Sequence, residues 1–240
     1  ILGMSGQRGA NKAVFESDLL ICLGTHLSIP HTTTLYKNYA PNSKKIIVNI
    51  DKNQLKNLNV KFDLKINDDV KNFVNWLINK NILTYKWDNL KELKQMNWYL
   101  QKKTKYPNSN IFIRNLTKQI KEKFCLVVDG GGTALYAGFQ SPVIKPKDRI
   151  ICSSSISSMG TGLAETIGAF KSKNFKKIIC IIGDGSLLMN IRDLQTIFQD
   201  KINVSIILIN NNGYLAIRHT QREFLNKRYF GTHPKGNLTM

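Results

Sequence analysis

Ile181-Ile182-Gly183-Asp184-Gly185-Ser186, read together with Ile209-Asn210-Asn211-Asn212-Gly213-Tyr214, decides how this chain folds. An apolar run from Lys177 to Ile182 stops at Gly-Asp-Gly-Ser. A helical pattern follows from Leu187 to about Gln199. A second apolar run, Val204 to Ile209, stops at Asn-Asn-Asn-Gly. The order is strand, acidic glycine turn, helix, strand, asparagine turn. If the two strands lie parallel in one sheet, the crossover returns the chain to the same end, and both turns emerge at one edge. Asp184 and Asn211, 27 positions apart, then face one crevice.

Residue type suggests the chemistry of that crevice. Asp184 offers a carboxylate and Asn211 an amide oxygen, hard ligands that suit Mg²⁺ or Ca²⁺ rather than Zn²⁺. Mg²⁺ takes few protein ligands and completes its shell with water and phosphate oxygens. Gly185 and Ser186 open the following helix, where unpaired N–H groups favour an anion. The reading is a metal-bridged diphosphate at the carboxyl edge of a parallel sheet. Gly-Asp-Gly alone would equally suit a strand-to-helix turn with Asp or Ser as N-cap. The paired Asn-Asn-x-Gly after the next strand favours the metal reading.

Gly183-Asp184-Gly185 followed by Asn210-Asn211 resembles the signature of thiamin diphosphate enzymes, and within them acetolactate synthase-like proteins. The resemblance covers most of the chain. It implies an α/β fold of parallel sheets flanked by helices, in two consecutive Rossmann-like domains. It implies thiamin diphosphate and Mg²⁺ as cofactors, the metal held by the side chains of Asp184 and Asn211 and the backbone carbonyl of Gly213. Gly183, Gly185, Ser186 and Tyr214 join the cofactor set by position.

Composition limits the alternatives. The chain has 240 residues, 42% hydrophobic and 21% charged, enough for one large or two modest domains. No apolar run approaches the ~20 residues of a membrane span, and Ile1-Leu2-Gly3-Met4 lacks the basic start of a signal peptide. Cys22, Cys125, Cys152 and Cys180 are far apart and lie in or beside apolar runs, so reduced buried thiols and a cytoplasmic location are expected. The net charge of +19 raises the question of nucleic acid. The lysines are spread along the chain without a nucleic-acid motif, so a solvated lysine surface is expected instead. Such a field would still draw in an anionic cofactor and acidic substrates.

Residues 1–80 form the first unit. Gly3 to Gly9 is glycine-spaced, yet no strand precedes it in this chain. Ala10 to Phe15 suits a short helix, Asp18 to Leu23 a buried strand ending at Gly24, and Lys45 to Ile50 another ending at Asp51. Asp68 to Asn79 reads as a helix with Asp68 or Asp69 as cap. Strands alternating with helices predict a parallel sheet. The segment resembles the back half of the family's central domain. Flavin-binding members carry an arginine and an aspartate after the strand-end glycine. The run Gly24-Thr25-His26-Leu27-Ser28-Ile29-Pro30 has neither, so FAD is not expected. Asp51 reads as a turn or cap residue, and His26 and His31 as surface histidines. Residues 81–108 read as a linker, with a helix from Trp87 to Lys103.

Residues 109–240 form the second unit, which the resemblance implies is a partial diphosphate-binding domain, expected to be truncated at its C-terminus. Ile111 to Phe124 is amphipathic. Cys125 to Val128 is a strand ending in Asp129-Gly130-Gly131-Gly132-Thr133, where three glycines let backbone approach a ligand or simply make a flexible turn. By resemblance, Gly131, Gly132 and Thr133 lie against the cofactor diphosphate. Arg149 to Cys152 is the next strand. Ser157-Ser158-Met159-Gly160-Thr161-Gly162 resembles the family loop that holds the aminopyrimidine. Met159 is there the wedge that bends the cofactor, and the Ser157 carbonyl and Met159 N–H are the contacts. Leu163 to Phe170 continues as a helix, in which Glu165 is given a solvent or cap role. Tyr214 to Arg222 reads as a short helix. In related enzymes it overhangs the substrate, which makes Ile217, Arg218, His219 and Gln221 pocket candidates. Acetolactate synthases carry a tryptophan near Thr220, so the acceptor pocket is expected to differ.

The resemblance implies carbon–carbon bond cleavage and formation on a 2-oxo acid, with transfer of a two-carbon unit to a carbonyl acceptor. The activating glutamate is expected on a preceding domain outside this chain, so no catalytic residue is assigned here and the fragment alone is expected to be inactive. A homodimer or homotetramer is expected, without nucleic acid or membrane partners. The alternatives are a non-catalytic cofactor-binding or regulatory module, and a sugar-modifying 2-oxo-acid-dependent transferase.

Overall fold

A computed structural model describes residues 2–80, 105–153 and 156–232. The chain divides into two compact units, Ile1–Trp98 and Tyr99–Met240. The expected linker helix from Trp87 to Lys103 lies outside the described residues.

The first unit carries a parallel three-stranded sheet in the order β1-β2-β3: Leu19–Leu23, Lys44–Val48 and Leu64–Ile66. Cys22, Ile47 and Leu55 form its buried centre. Helices α1 (Arg8–Glu16), α2 (Ile29–Thr32), α3 (Lys52–Lys56) and α4 (Val70–Ile78) accompany the strands. The aspartates expected as caps act as caps. Asp51 accepts from the N–H groups of Asn53 and Gln54 at the start of α3, and Asp69 from Lys71 N–H at the start of α4. Strand β3 was not expected from the sequence. Only three residues long, with Lys65 at its centre, it gives too little apolar pattern to read.

The second unit carries a parallel four-stranded sheet in the order β5-β4-β6-β7. The strands are β4 (Phe124–Val128), β5 (Arg149–Ile151), β6 (Lys177–Gly183) and β7 (Val204–Ile209). Central strands of a parallel sheet are covered on both faces and so read as continuous apolar runs. All of β4, and β6 from Ile178 to Ile182, is buried. The strand period of two then splits the side chains. Phe124, Leu126, Val128, Ile179 and Ile181 enter one core layer. Cys125, Val127, Ile178, Cys180 and Ile182 enter the other.

Helices α5 (Ser109–Gln119) and α6 (Gly132–Gln140) supply the first layer; α7 (Gly162–Lys171), α8 (Asp184–Met189) and α9 (Asp193–Gln199) supply the second. Helix α10 (Leu215–Phe224) follows β7. From β4 the chain moves to β5 on one side, then returns to β6 on the other. In open α/β sheets that reversal leaves a crevice at the strand carboxyl ends, here between β4 and β6.

Three boundaries differ from expectation. The amphipathic stretch from Ile111 to Phe124 is helical only to Gln119, and Phe124 already belongs to β4. The pattern from Leu187 to Gln199 is two helices, broken where Asn190 leaves helical geometry and donates from Nδ2 to the Gly160 carbonyl at 2.8 Å. The glycine run after β4 is no flexible loop, because Gly131 is the N-cap of α6.

Candidate functional site

The crevice is organised around Asp129, whose role the sequence did not reveal. The residue directly after β4 is fully buried. Its Oδ1 accepts from Gly131 N–H at 3.0 Å, and its Oδ2 from Gly160 N–H at 2.9 Å and Gly162 N–H at 3.0 Å. A buried carboxylate is tolerated when charge-assisted hydrogen bonds satisfy it. One side chain therefore ties the start of α6 to the loop that carries Met159. Two neighbouring glycines keep this junction tight. A Cβ on Gly130 would stand 2.3 Å from the Ser158 carbonyl oxygen, and one on Gly131 2.3 Å from Ser186 Oγ.

The acidic turn and the asparagine turn meet as the parallel reading requires. Asp184 is buried, and its Oδ2 accepts from Gly213 N–H at 2.7 Å. Its Oδ1 accepts from Gly185 N–H at 2.9 Å, so that N–H is not unpaired as expected. Gly183, rather than Asp or Ser, is the N-cap of α8. Asn212 and Gly213 both adopt positive φ, 61° and 97°, which folds the turn back toward Asp184. Asn211 donates from Nδ2 to Thr133 Oγ1 at 3.2 Å, and its Oδ1 is buried without a partner. Ser186 Oγ is likewise buried and unpartnered. The Gly213 carbonyl accepts from Leu215 N–H at 3.0 Å. Tyr214 packs against Gly185, where a Cβ would be 2.6 Å from its ring.

A small cavity of about 40 Å³ lies among these groups. Its lining brings together Gly131, Gly132, Thr133 and Met159 from one side. From the other side come Gly183, Asp184, Gly185, Ser186, Asn211, Gly213 and Tyr214. Ser157 does not line it; its backbone packs against Gly130, at a φ of 55°. Ile217, one of the pocket candidates, also lines this cavity. No cluster of three or more His, Cys, Asp or Glu among the described residues could hold a metal. A Zn²⁺-type site is thus not built from them. The donors present are oxygens: a buried carboxylate, an orphaned amide oxygen, a backbone carbonyl and a buried hydroxyl. Unsatisfied buried polar atoms are uncommon, and an oxygen-only set with unspent lone pairs fits a hard cation carrying a polyphosphate.

Beside the cavity lies a larger chamber of about 790 Å³, lined in part by Arg218 and His219. Gln221 does not belong to it. That side chain is buried, donates from Nε2 to the Phe230 carbonyl at 3.1 Å and accepts from Thr232 Oγ1 at 2.5 Å, fastening the segment after α10. Glu165 is neither a solvent-facing nor a capping residue. It is half-buried with an unpartnered Oε2, and burial, with nearby Asp129, holds its carboxyl above the usual range. Burial likewise pushes the thiols of Cys152 and Cys180 up to about 12. These are packing cysteines rather than nucleophiles.

In the first unit, His31 is half-buried and bonds Ser28 Oγ through Nδ1 at 2.8 Å, and burial lowers its pKa. It is not the surface histidine expected. His26 is exposed and contacts Gln54. Among the described residues no helix is long and apolar enough to cross a membrane.

Comparison with known proteins agrees with this geometry. The family model "Thiamine pyrophosphate enzyme, C-terminal TPP binding domain" matches residues 129–239, and "Thiamine pyrophosphate enzyme, central domain" matches residues 1–77. The chain is 28% identical to the acetolactate synthase isozyme 2 large subunit of Escherichia coli K12, over 97% of this chain and 42% of that protein. It is 32% identical to the acetolactate synthase large subunit of Cyanidium caldarium, over 95% of this chain and 40% of that protein. The chain thus spans about two fifths of the length of these relatives.

Proposed function

Because this chain belongs to the thiamine pyrophosphate enzymes, whose central and C-terminal domains it carries, we propose that it forms the cofactor-holding part of an acetolactate synthase-like enzyme. That enzyme would cleave and form carbon–carbon bonds on a 2-oxo acid. Its relatives are acetolactate synthase large subunits. Thiamin diphosphate, when bound, supplies the carbanion chemistry such reactions need.

The observation that carries the reading is the orphaned Oδ1 of Asn211, on the same turn that abuts the Asp184 carboxylate. Asp184 and Asn211 would hold Mg²⁺ with the Gly213 carbonyl. Gly183, Gly185, Ser186, Gly131, Gly132 and Thr133 would border the diphosphate. Met159 and Tyr214 would wall the remainder, and Ser157 would act through its backbone. No Lys, Arg or His lines the cavity to balance the buried Asp184 carboxylate, which supports a cation at this place. Four unpaired cysteines support a reducing compartment, the cytoplasm. A 2-oxo acid, a carbonyl acceptor and further copies of the enzyme are the partners this reading implies.

Asp184→Ala in the full-length protein tests it. Removing a buried ligand carboxylate should abolish Mg²⁺-dependent thiamin diphosphate binding in isothermal titration, with circular dichroism unchanged. Unaltered affinity in a folded variant would remove the metal assignment.

A further inference from the structure

The chamber beside the cofactor cavity has a chemical character of its own. The two share Thr133, Leu215 and Ala216 as a common wall, so a ligand in one borders the other. The chamber's volume, about 790 Å³, falls in the range of sites for sizeable organic ligands, roughly 300–1,000 Å³. A short 2-oxo acid takes on the order of 100 Å³, three or four water volumes. It would leave most of the chamber to solvent.

The lining sets cationic and hydroxyl groups on a largely apolar wall that includes Leu215 and Ala216. Arg218, His219 and Arg222 lie on one side, with the hydroxyl-bearing Thr133, Tyr136 and Thr220 around them. No aspartate or glutamate belongs to it. The two guanidiniums are unequally committed. Arg218 donates from one Nη to the Asn211 carbonyl at 2.9 Å, while its Nε is buried without an acceptor. Arg222 meets Glu223 through Nε at 2.7 Å and His219 Nδ1 through Nη2 at 2.9 Å. Glu223 thus offsets part of the Arg222 charge but leaves its second Nη unspent. A buried guanidinium N–H with no acceptor beside a second, exposed guanidinium calls for an anionic oxygen ligand.

We propose that this chamber binds a polyhydroxylated substrate bearing a phosphate or carboxylate, of sugar-phosphate or sugar-acid size, with Arg222 and His219 as specificity-determining residues. The proposal rests on the cofactor reading of the neighbouring cavity and adds the class of the second substrate. Arg218 anchors the anion from the side of the Asn211 turn. Arg222 and His219 flank it from the same helix, α10, and the threonine and tyrosine hydroxyls suit sugar hydroxyls. The acceptor is then chosen by its charge and hydroxyls more than by its carbonyl.

The test uses the full-length protein and equilibrium binding, so it does not depend on turnover. Ribose 5-phosphate, gluconate, neutral ribose and pyruvate are titrated separately in the presence of Mg²⁺ and thiamin diphosphate. At least one of the two large anions should bind about tenfold tighter than ribose and tighter than pyruvate, and which one does so identifies the anionic group. Arg222→Gln and His219→Gln lie on an exposed surface and should fold normally. Each should weaken that anion by about tenfold or more while leaving thiamin diphosphate affinity unchanged. Equal binding of ribose and ribose 5-phosphate with no advantage for gluconate, absence of binding by either anion, or unchanged affinity in both variants would overturn the proposal. Thiamin diphosphate is titrated in parallel. If it binds and the anions do not, the chamber assignment alone fails. If it does not bind, the cofactor reading fails, and the anion titrations still judge the chamber.

Discussion

Replacing Asp129 should damage this protein more than replacing any other residue of the crevice, although its carboxylate does not line the cavity. The side chain is fully buried and accepts three backbone N–H bonds of 2.9–3.0 Å, from Gly131, Gly160 and Gly162. In Asp129→Ala all three donors lose their acceptor, and each buried unsatisfied donor costs about 1–3 kcal/mol. The low end of that range already gives about 3 kcal/mol for three, against a total domain stability of about 5–15 kcal/mol. Asp129→Asn keeps one oxygen, which can still serve Gly160 and Gly162, but turns an NH₂ group toward Gly131 N–H. Its cost should be about 1–3 kcal/mol, one unsatisfied donor. Urea unfolding of the full-length protein measures both losses. Native-state hydrogen exchange localises them, because the Gly160 and Gly162 amides should lose protection in the alanine variant and largely retain it in the asparagine variant. Thiamin diphosphate affinity should fall in the same order, since the loop carrying Met159 loses its anchor. An alanine variant within about 0.5 kcal/mol of the parent, the range of an ordinary surface change, would refute the reasoning.

Two further substitutions probe neighbouring contacts. Gly185→Ala places a Cβ 2.6 Å from the Tyr214 ring, so it should cost about 1–3 kcal/mol through overpacking. Adding Tyr214→Ala should recover at least ~0.5 kcal/mol in a double-mutant cycle, and strict additivity would show that the two do not touch. Glu165 carries a carboxyl whose pKa is raised, chiefly by burial. The folded state then holds a proton that the unfolded state has released. Stability therefore declines as pH rises from the ordinary glutamate value through the raised one. Glu165→Gln should flatten that decline, matching the parent in acid and exceeding it at neutral pH in thermal melts. Parallel pH profiles for the two proteins would show that Glu165 is solvated.

What was legible in the sequence, and what was not, follows the distance over which each feature is decided. The apolar runs Ile178–Ile182, buried, and Val204–Ile209, mostly half-buried, announce themselves as strands in their own composition. The meeting of Asp184 with the 210–213 turn then follows from parallel pairing alone. Helix α6 is different. Its sequence, Gly-Thr-Ala-Leu-Tyr-Ala-Gly-Phe-Gln, has a glycine at its start and another at 138, which locally argues for a turn. Gly138 is there because the helix lies so close on β4 that a Cβ would stand 2.5 Å from a Val128 methyl. That need arises from packing between elements and leaves no periodic trace. Asp129 is hidden for the same reason: two of its three partners are 31 and 33 residues away, so locally it reads as one more acidic turn residue. Gln221 misled through its place on α10, because the segment at 230–232 that it fastens has no pattern of its own. The proposed metal ligands Asp184 and Asn211, by contrast, follow the ends of apolar strands, where the change from hydrophobic run to polar turn marks them in the sequence itself. Residues that hold the site's loops in place answer to backbone N–H groups, which every residue but proline possesses, and composition cannot reveal them.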